Sequence, residues 1–128
     1  MSPQLELALR TRFPRMFVPV VQEPALIPSH LPIACEDGWF ALIETLCDAL
    51  QSETDRGDAP QVTVRQVKEK FGTLRFYVRG ANDVQYGMIS LATGLSARIC
   101  EVCGAPGALR RDAGLQTLCA SHARTQFE

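Results

Sequence analysis

Apolar residues recur at helical spacing in two stretches of this 128-residue chain and alternate in a third. From Asp37 onward, Trp39, Leu42, Ile43, Leu46, Cys47 and Leu50 follow i, i+3, i+4, i+7, i+8, i+11. That spacing predicts an amphipathic helix over residues 37–50, with Asp37 as its N-cap. Further on, Val84, Met88, Leu91, Ala92, Leu95 and Ile99 keep the same period and predict a second helix, capped by Asn82 or Asp83. Gly87 and Gly94 interrupt it, each weakening a helix by up to ~1 kcal/mol relative to alanine, so close packing against them is expected. Between the two helices the period falls to two. Leu74, Phe76 and Val78 point one way and Thr73, Arg75, Tyr77 and Arg79 the other, which predicts a β-hairpin over residues 61–80. On its first strand Val62 and Val64 share a face that Val67 would leave, so a bulge is expected near Arg65 and Gln66.

Before these elements, Leu5, Leu7, Ala8, Leu9 and Phe13 predict a short first helix that Pro14 ends. Prolines 14, 19, 24, 28 and 32 then stand among Phe17, Val20, Val21, Leu26 and Ile27. A stretch so rich in proline cannot be helix, and it is too apolar for a free linker. It is expected as an extended strap over the core, with an exposed peptide-docking surface as the alternative.

The chain closes on Cys100-Glu-Val-Cys103-Gly104, followed after fifteen residues by Cys119-Ala-Ser-His122. Two thiolates two residues apart can wrap one ion in a tight knuckle, and the second pair has the same gap, the spacing of structural zinc sites. Three thiolates and an imidazole fill all four tetrahedral positions, leaving none for water or substrate. One structural Zn²⁺ per chain is therefore expected on Cys100, Cys103, Cys119 and His122. The competing reading is that these are separate core cysteines. Short strand-like runs around Asp112-Ala-Gly114, then a ligand pair opening a last short helix, give the order of a treble-clef finger.

The expected architecture is a single α+β domain over residues 1–128. Residues 1–34 form the first helix and strap, 35–99 a core of two amphipathic helices packed on the β-hairpin, and 100–128 a treble-clef-like zinc module.

Composition narrows the class. At 46% hydrophobic and net charge −1 the chain is an ordinary globular protein and no polycation. Five cysteines, an odd number, and a start that carries Arg10, Arg12 and Arg15 but no apolar run suit a reducing, cytoplasmic setting. No apolar run approaches the ~20 residues of a membrane span. Cys47, on the apolar stripe, reads as core; Cys35 and His30 have no evident role. Charge is segregated. Residues 36–60 hold seven acids, among them Glu44, Asp48, Glu53, Asp55 and Asp58, against Arg56 alone. The hairpin gathers Arg65, Lys68, Lys70, Arg75 and Arg79 against Glu69, with Tyr77 between them. Either face could be simply solvated, and either could engage a partner of opposite charge.

Three blocks carry a resemblance: Asp37-Gly-Trp39; Gln66-Val-Lys-Glu-Lys-Phe-Gly-Thr-Leu-Arg-Phe-Tyr77; and Ser96-Ala-Arg-Ile-Cys-Glu-Val-Cys-Gly-Ala-Pro-Gly107 with Thr117-Leu-Cys119 and His122. Over about residues 35–123 the chain resembles a widespread set of small, uncharacterised zinc-binding proteins of bacteria and their phages. The resemblance implies a shared fold and zinc site, often a prophage setting, and no particular activity. Where that set has Gly-Trp ahead of the second ligand pair, this chain has Gly114-Leu115.

Three functions follow for comparison. The leading one is a non-enzymatic binding protein that engages a protein partner, of inhibitor, immunity or phage-accessory type, through Arg65, Lys68, Lys70, Arg75, Tyr77 and Arg79. The second is a nucleic-acid binder using the basic hairpin and the finger. The third, a metal-dependent nuclease, wants a histidine base and further ligands, and only His30 is spare. No catalytic residue is assigned.

Overall fold

A computed structural model describes residues 1–21, 28–57, 59–111 and 114–123. Helix α1 (Pro3–Arg12) opens on a proline, whose fixed φ suits a first turn, and ends where Pro14 follows Phe13. Leu9 and Phe13 are buried, while Leu7 faces out. The chain then turns so that Met16 and Phe17 enter the core, and the Met16 carbonyl accepts from Val64 N at 2.9 Å. This part of the strap is thus fastened to the sheet. Strands β1 (Val20–Val21) and β2 (Pro28–Ser29) pair antiparallel, and β3 (Ile33–Ala34) pairs parallel with β4 (Thr63–Lys70). The strap residues between β1 and β2, with Pro24, Leu26 and Ile27, lie outside the described residues.

Strand β5 (Thr73–Arg79) runs antiparallel to β4, giving a sheet of order β3-β4-β5. The expected hairpin is therefore two strands of a three-stranded sheet. Two residues of β3 are too few to show a period, so the third strand is invisible in the sequence. The register slips between Val64 and Gln66, placing the extra residue at Arg65, and that slip keeps Val64 and Val67 on one buried face.

A 3₁₀ turn, Asp37–Trp39, leads into α2 (Phe40–Arg56), six residues longer at its end than the apolar stripe suggested. Asp37 is not the cap: its Oδ1 accepts from Ser2 N at 2.7 Å instead. Ile43, Leu46, Cys47 and Leu50 are buried together with Trp39, as the period required.

Helix α3 (Asp83–Ser96) departs further. Asn82 caps it, with Gln85 completing a reciprocal capping box. The buried side, however, is Gln85, Ala92 and Ser96, with Met88 and Ile89 partly covered, and Val84, Leu91 and Leu95 are exposed. Specific hydrogen bonds set this orientation. Gln85 Nε2 donates to the Leu50 carbonyl (3.0 Å) and to Thr54 Oγ1 (2.9 Å), and Ser96 Oγ accepts from Leu74 N (2.8 Å). Two satisfied polar groups thus occupy positions that a hydrophobic pattern assigns to leucine. Gly87 and Gly94 consequently have nothing packed on them, contrary to expectation.

The main core collects α1, the strap, α2 and the inner sheet face. A smaller cluster of Cys100, Leu118 and Cys119 lies beyond α3 around β6 (Ala108–Arg110) and β7 (Gln116–Leu118), an antiparallel pair. The architecture is α+β. Among the described residues no helix is long and apolar enough to cross a membrane.

Candidate metal centre and basic face

The Cys100 knuckle is shaped by the backbone. Cys100 N donates to the Ala105 carbonyl at 2.7 Å and the Cys100 carbonyl accepts from Gly104 N at 2.9 Å. Gly104 closes the turn at φ 81°, a left-handed conformation that glycine adopts without strain. A turn after β7 brings up the second pair, with His122 N donating to the Cys119 carbonyl. Asp112 and Ala113 of the expected hairpin turn lie outside the described residues; the last helix expected to open at the Cys119–His122 pair is a turn over residues 120–122, and residues past 123 lie outside the described ones as well.

The four side chains converge: three Sγ atoms and a ring nitrogen lie within 4.8 Å of one another. Cys103 and Cys119 sulfurs are 3.7 Å apart, and His122 Nδ1 is 3.8 Å from Cys100 Sγ and 3.2 Å from Cys119 Sγ. Ligands around a tetrahedral ion at metal-sulfur distances of about 2.3 Å would stand about 3.8 Å apart between sulfurs and about 3.5 Å between sulfur and nitrogen. The donors therefore fit one metal ion. The hydrogen bond from His122 pulls the Cys119 thiol down to about 6, toward the thiolate that a metal binds. Cys35 and Cys47 stand apart in the main core; burial pushes Cys35 up to about 12 and raises Cys47 as well.

What braces the centre was not assigned from the sequence. Gly38 sits directly on the knuckle: its N–H donates to the Glu101 carbonyl at 2.7 Å, and a Cβ there would overlap the backbone of Cys100 and Glu101. Trp39 Nε1 donates to the Ile99 carbonyl at 2.9 Å. Buried Glu101 accepts from Glu36 N at 3.0 Å, its second oxygen has no partner among the described residues, and desolvation raises its pKa. On the far side, Thr117 Oγ1 donates to the Gly72 carbonyl at 2.7 Å, tying β7 to the β4-β5 turn. The Asp37-Gly-Trp and Phe-Gly-Thr blocks stand out in the sequence, and these contacts give their physical role: both clasp the segment that carries the four donors.

The outer sheet face carries the other candidate residues. The register sets Lys68 opposite Arg75, Gln66 opposite Tyr77 and Thr63 opposite Arg79. Arg65, at the bulge, borders with Tyr77, Val21 and Ala34 a groove of about 460 Å³. Lys70, at the tip, lies over the Phe71 ring at 5.5 Å. Among the described residues none of these cations forms a salt bridge, and Arg75 Nε is buried without a hydrogen-bond partner. The acids of α2 differ. Glu44 and Asp48 both reach Arg12 at 3.3 Å, Asp55 reaches Arg15 at 3.2 Å, and Glu53 reaches Arg56 at 3.0 Å. Asp58 lies outside the described residues. No protein-family model, curated protein or solved structure matches this chain.

Proposed function

We propose that this chain is a zinc-stabilised, non-enzymatic binding protein whose outer sheet face docks an acidic protein partner, in the manner of inhibitors, immunity proteins or phage accessory factors. The observation that carries the reading is the set of cations, Arg65, Lys68, Lys70, Arg75 and Arg79, without acidic partners among the described residues, on one face around half-exposed Tyr77. Placing Lys68 opposite Arg75 brings like charges together, which works against the sheet unless an anion lies over them.

Zinc is the metal in this reading. Three thiolates and an imidazole suit it, and with all four positions taken by protein the ion clamps a treble-clef-like module and performs no chemistry of its own. Coordination requires reduced thiols, which suits a cytoplasmic setting. Elemental analysis should find one zinc per chain, lost in Cys103→Ser and kept in Cys35→Ser and Cys47→Ala. A folded, zinc-free preparation would overturn the assignment.

Nucleic acid is the second reading, favoured by Tyr77, an aromatic ring exposed among cations as in single-strand binders. Salt decides between the two. Phosphate contacts release counterions, so nucleic-acid affinity should fall steeply between 50 and 200 mM salt, by about 10²-fold for five contacts to a single strand, whereas a protein interface with an apolar centre responds less. Tyr77→Ala should reduce capture of a protein partner from the native host and leave single-strand affinity unaffected; the reverse pattern selects nucleic acid.

A further inference from the structure

Helix α3 gives one side to the core and leaves the other uncovered. Along the uncovered side run Val84, Gly87, Leu91, Gly94, Leu95 and, just past the helix, Arg98; Val84 is 56% exposed and Leu91 67%. Next to Leu91 and Leu95, α2 and α3 leave an apolar recess of about 140 Å³, floored by Thr45 and Ala49. A Cβ at Gly87 or Gly94 would meet nothing within 4 Å, so no contact among the described residues explains glycine at two helix-interior positions where alanine would favour helix. Glycine in that setting permits another backbone to come close.

The positions are symmetric. Gly87 and Gly94 lie equally far along the chain from the midpoint between Ser90 and Leu91, and so do Asp83 and Arg98. A two-fold axis through that midpoint, with a second α3 crossing antiparallel, sets Gly87 against Gly94 of the second copy and Asp83 against its Arg98. At 1.5 Å rise per residue each charge stands about 11 Å from the axis, on opposite sides of it, so an acid meets a base at both ends of the contact. Asp83 and Arg98 are exposed, and neither has a salt-bridge partner among the described residues. We propose that a second copy of this chain docks on this face, α3 against α3, in an isologous dimer. The glycines set the close approach, Leu91 packs beside the axis against Ser90 of the second copy, and the paired charges fix the antiparallel direction. The basic sheet face takes no part.

Light scattering and sedimentation on the full, metal-loaded chain test this. The mass at micromolar concentration should be twice 14.1 kDa. Arg98→Asp alone should weaken association by tenfold or more, and adding Asp83→Arg should restore it, a rescue that follows only if the two residues face each other across copies. Leu91→Glu should give a monomer with its zinc intact. A wild-type chain monomeric at a few hundred micromolar overturns the proposal, including the case in which Leu91→Glu then abolishes capture of some other protein. A dimer that survives Leu91→Glu, or a charge swap without rescue, overturns it as well.

Discussion

The acidic face of α2 and the basic face of the sheet have opposite charge, and among the described residues only the acidic one is paired with counter-charges. Arg12 at the end of α1 bridges Glu44 and Asp48, and Arg15 in the following turn reaches Asp55, so the N-terminal segment supplies the counter-charges of three acids of α2, while Glu53 pairs with Arg56 of the helix itself. Arg75 meets Lys68 across the strands instead, with a buried Nε and no acceptor among the described residues. In composition the two regions looked alike, each a run of one sign with little of the other. Pairing is what separates a face that holds the fold from one available to something else.

Removing the proposed zinc should have the largest effect and should fall unequally on the two faces. Structural zinc contributes about 10–16 kcal/mol of apparent binding energy in finger peptides, as much as the ~5–15 kcal/mol stability of a whole domain. Chelation should therefore release the protection of amides in residues 100–123. Through Thr117 and Gly72 it should also loosen the tip of the basic hairpin, while the part of α2 held by Arg12 exchanges as before. Protection retained across residues 100–123 after complete chelation would break the asymmetry. Gly38→Ala attacks the same joint from the other side: a methyl group overlapping the Cys100 backbone should destabilise by roughly 2–3 kcal/mol, read from denaturant midpoints, because a backbone neighbour cannot rotate away.

Next in size is the double reversal Arg75→Glu with Arg79→Glu. Loss of two central contacts should weaken partner binding by about 2 kcal/mol or more, near thirtyfold. Stability should hold or rise by a few tenths of a kcal/mol, because Arg75→Glu turns a like-charge pair with Lys68 into an opposite-charge one. Falling stability would mean that the cations are structural.

Legibility in the sequence follows the same division. The Trp39 to Leu50 stripe, the alternation of β5, the bulge at Arg65 and the four donors could be read directly, because each rests on spacing that backbone geometry imposes. What escaped depends on contacts distant in sequence. β3 is a strand only because β4 lies beside it. The buried side of α3 is set by Gln85 reaching the Leu50 carbonyl and Ser96 accepting from Leu74 N, so hydrophobic spacing picked its exposed leucines. Gly38 and Thr117 are chosen by the backbones they touch, and no local pattern encodes that.

The smallest expected effect tests the acidic side. Arg12→Gln removes the contacts to Glu44 and Asp48 and the guanidinium stacked 4.9 Å over Phe13, yet Arg12 is half exposed and both carboxylates are well solvated. Exposed ion pairs contribute about 0.2–1 kcal/mol, and a surface cation-ring contact about as much, so the loss should be about 1 kcal/mol at low salt. Raising the salt to 1 M shortens the screening length to about 3 Å, below the ion-pair distances, and should shrink the difference from wild type to the ring contact alone. Glu44→Gln on the Arg12→Gln background should then add almost nothing, showing that the two effects share one interaction. Partner binding should be unchanged throughout. If Arg12→Gln instead weakened binding as much as the Arg75 and Arg79 reversal does, pairing within the chain would no longer distinguish the two faces, and the acidic side of α2 would have to be counted as part of the interface.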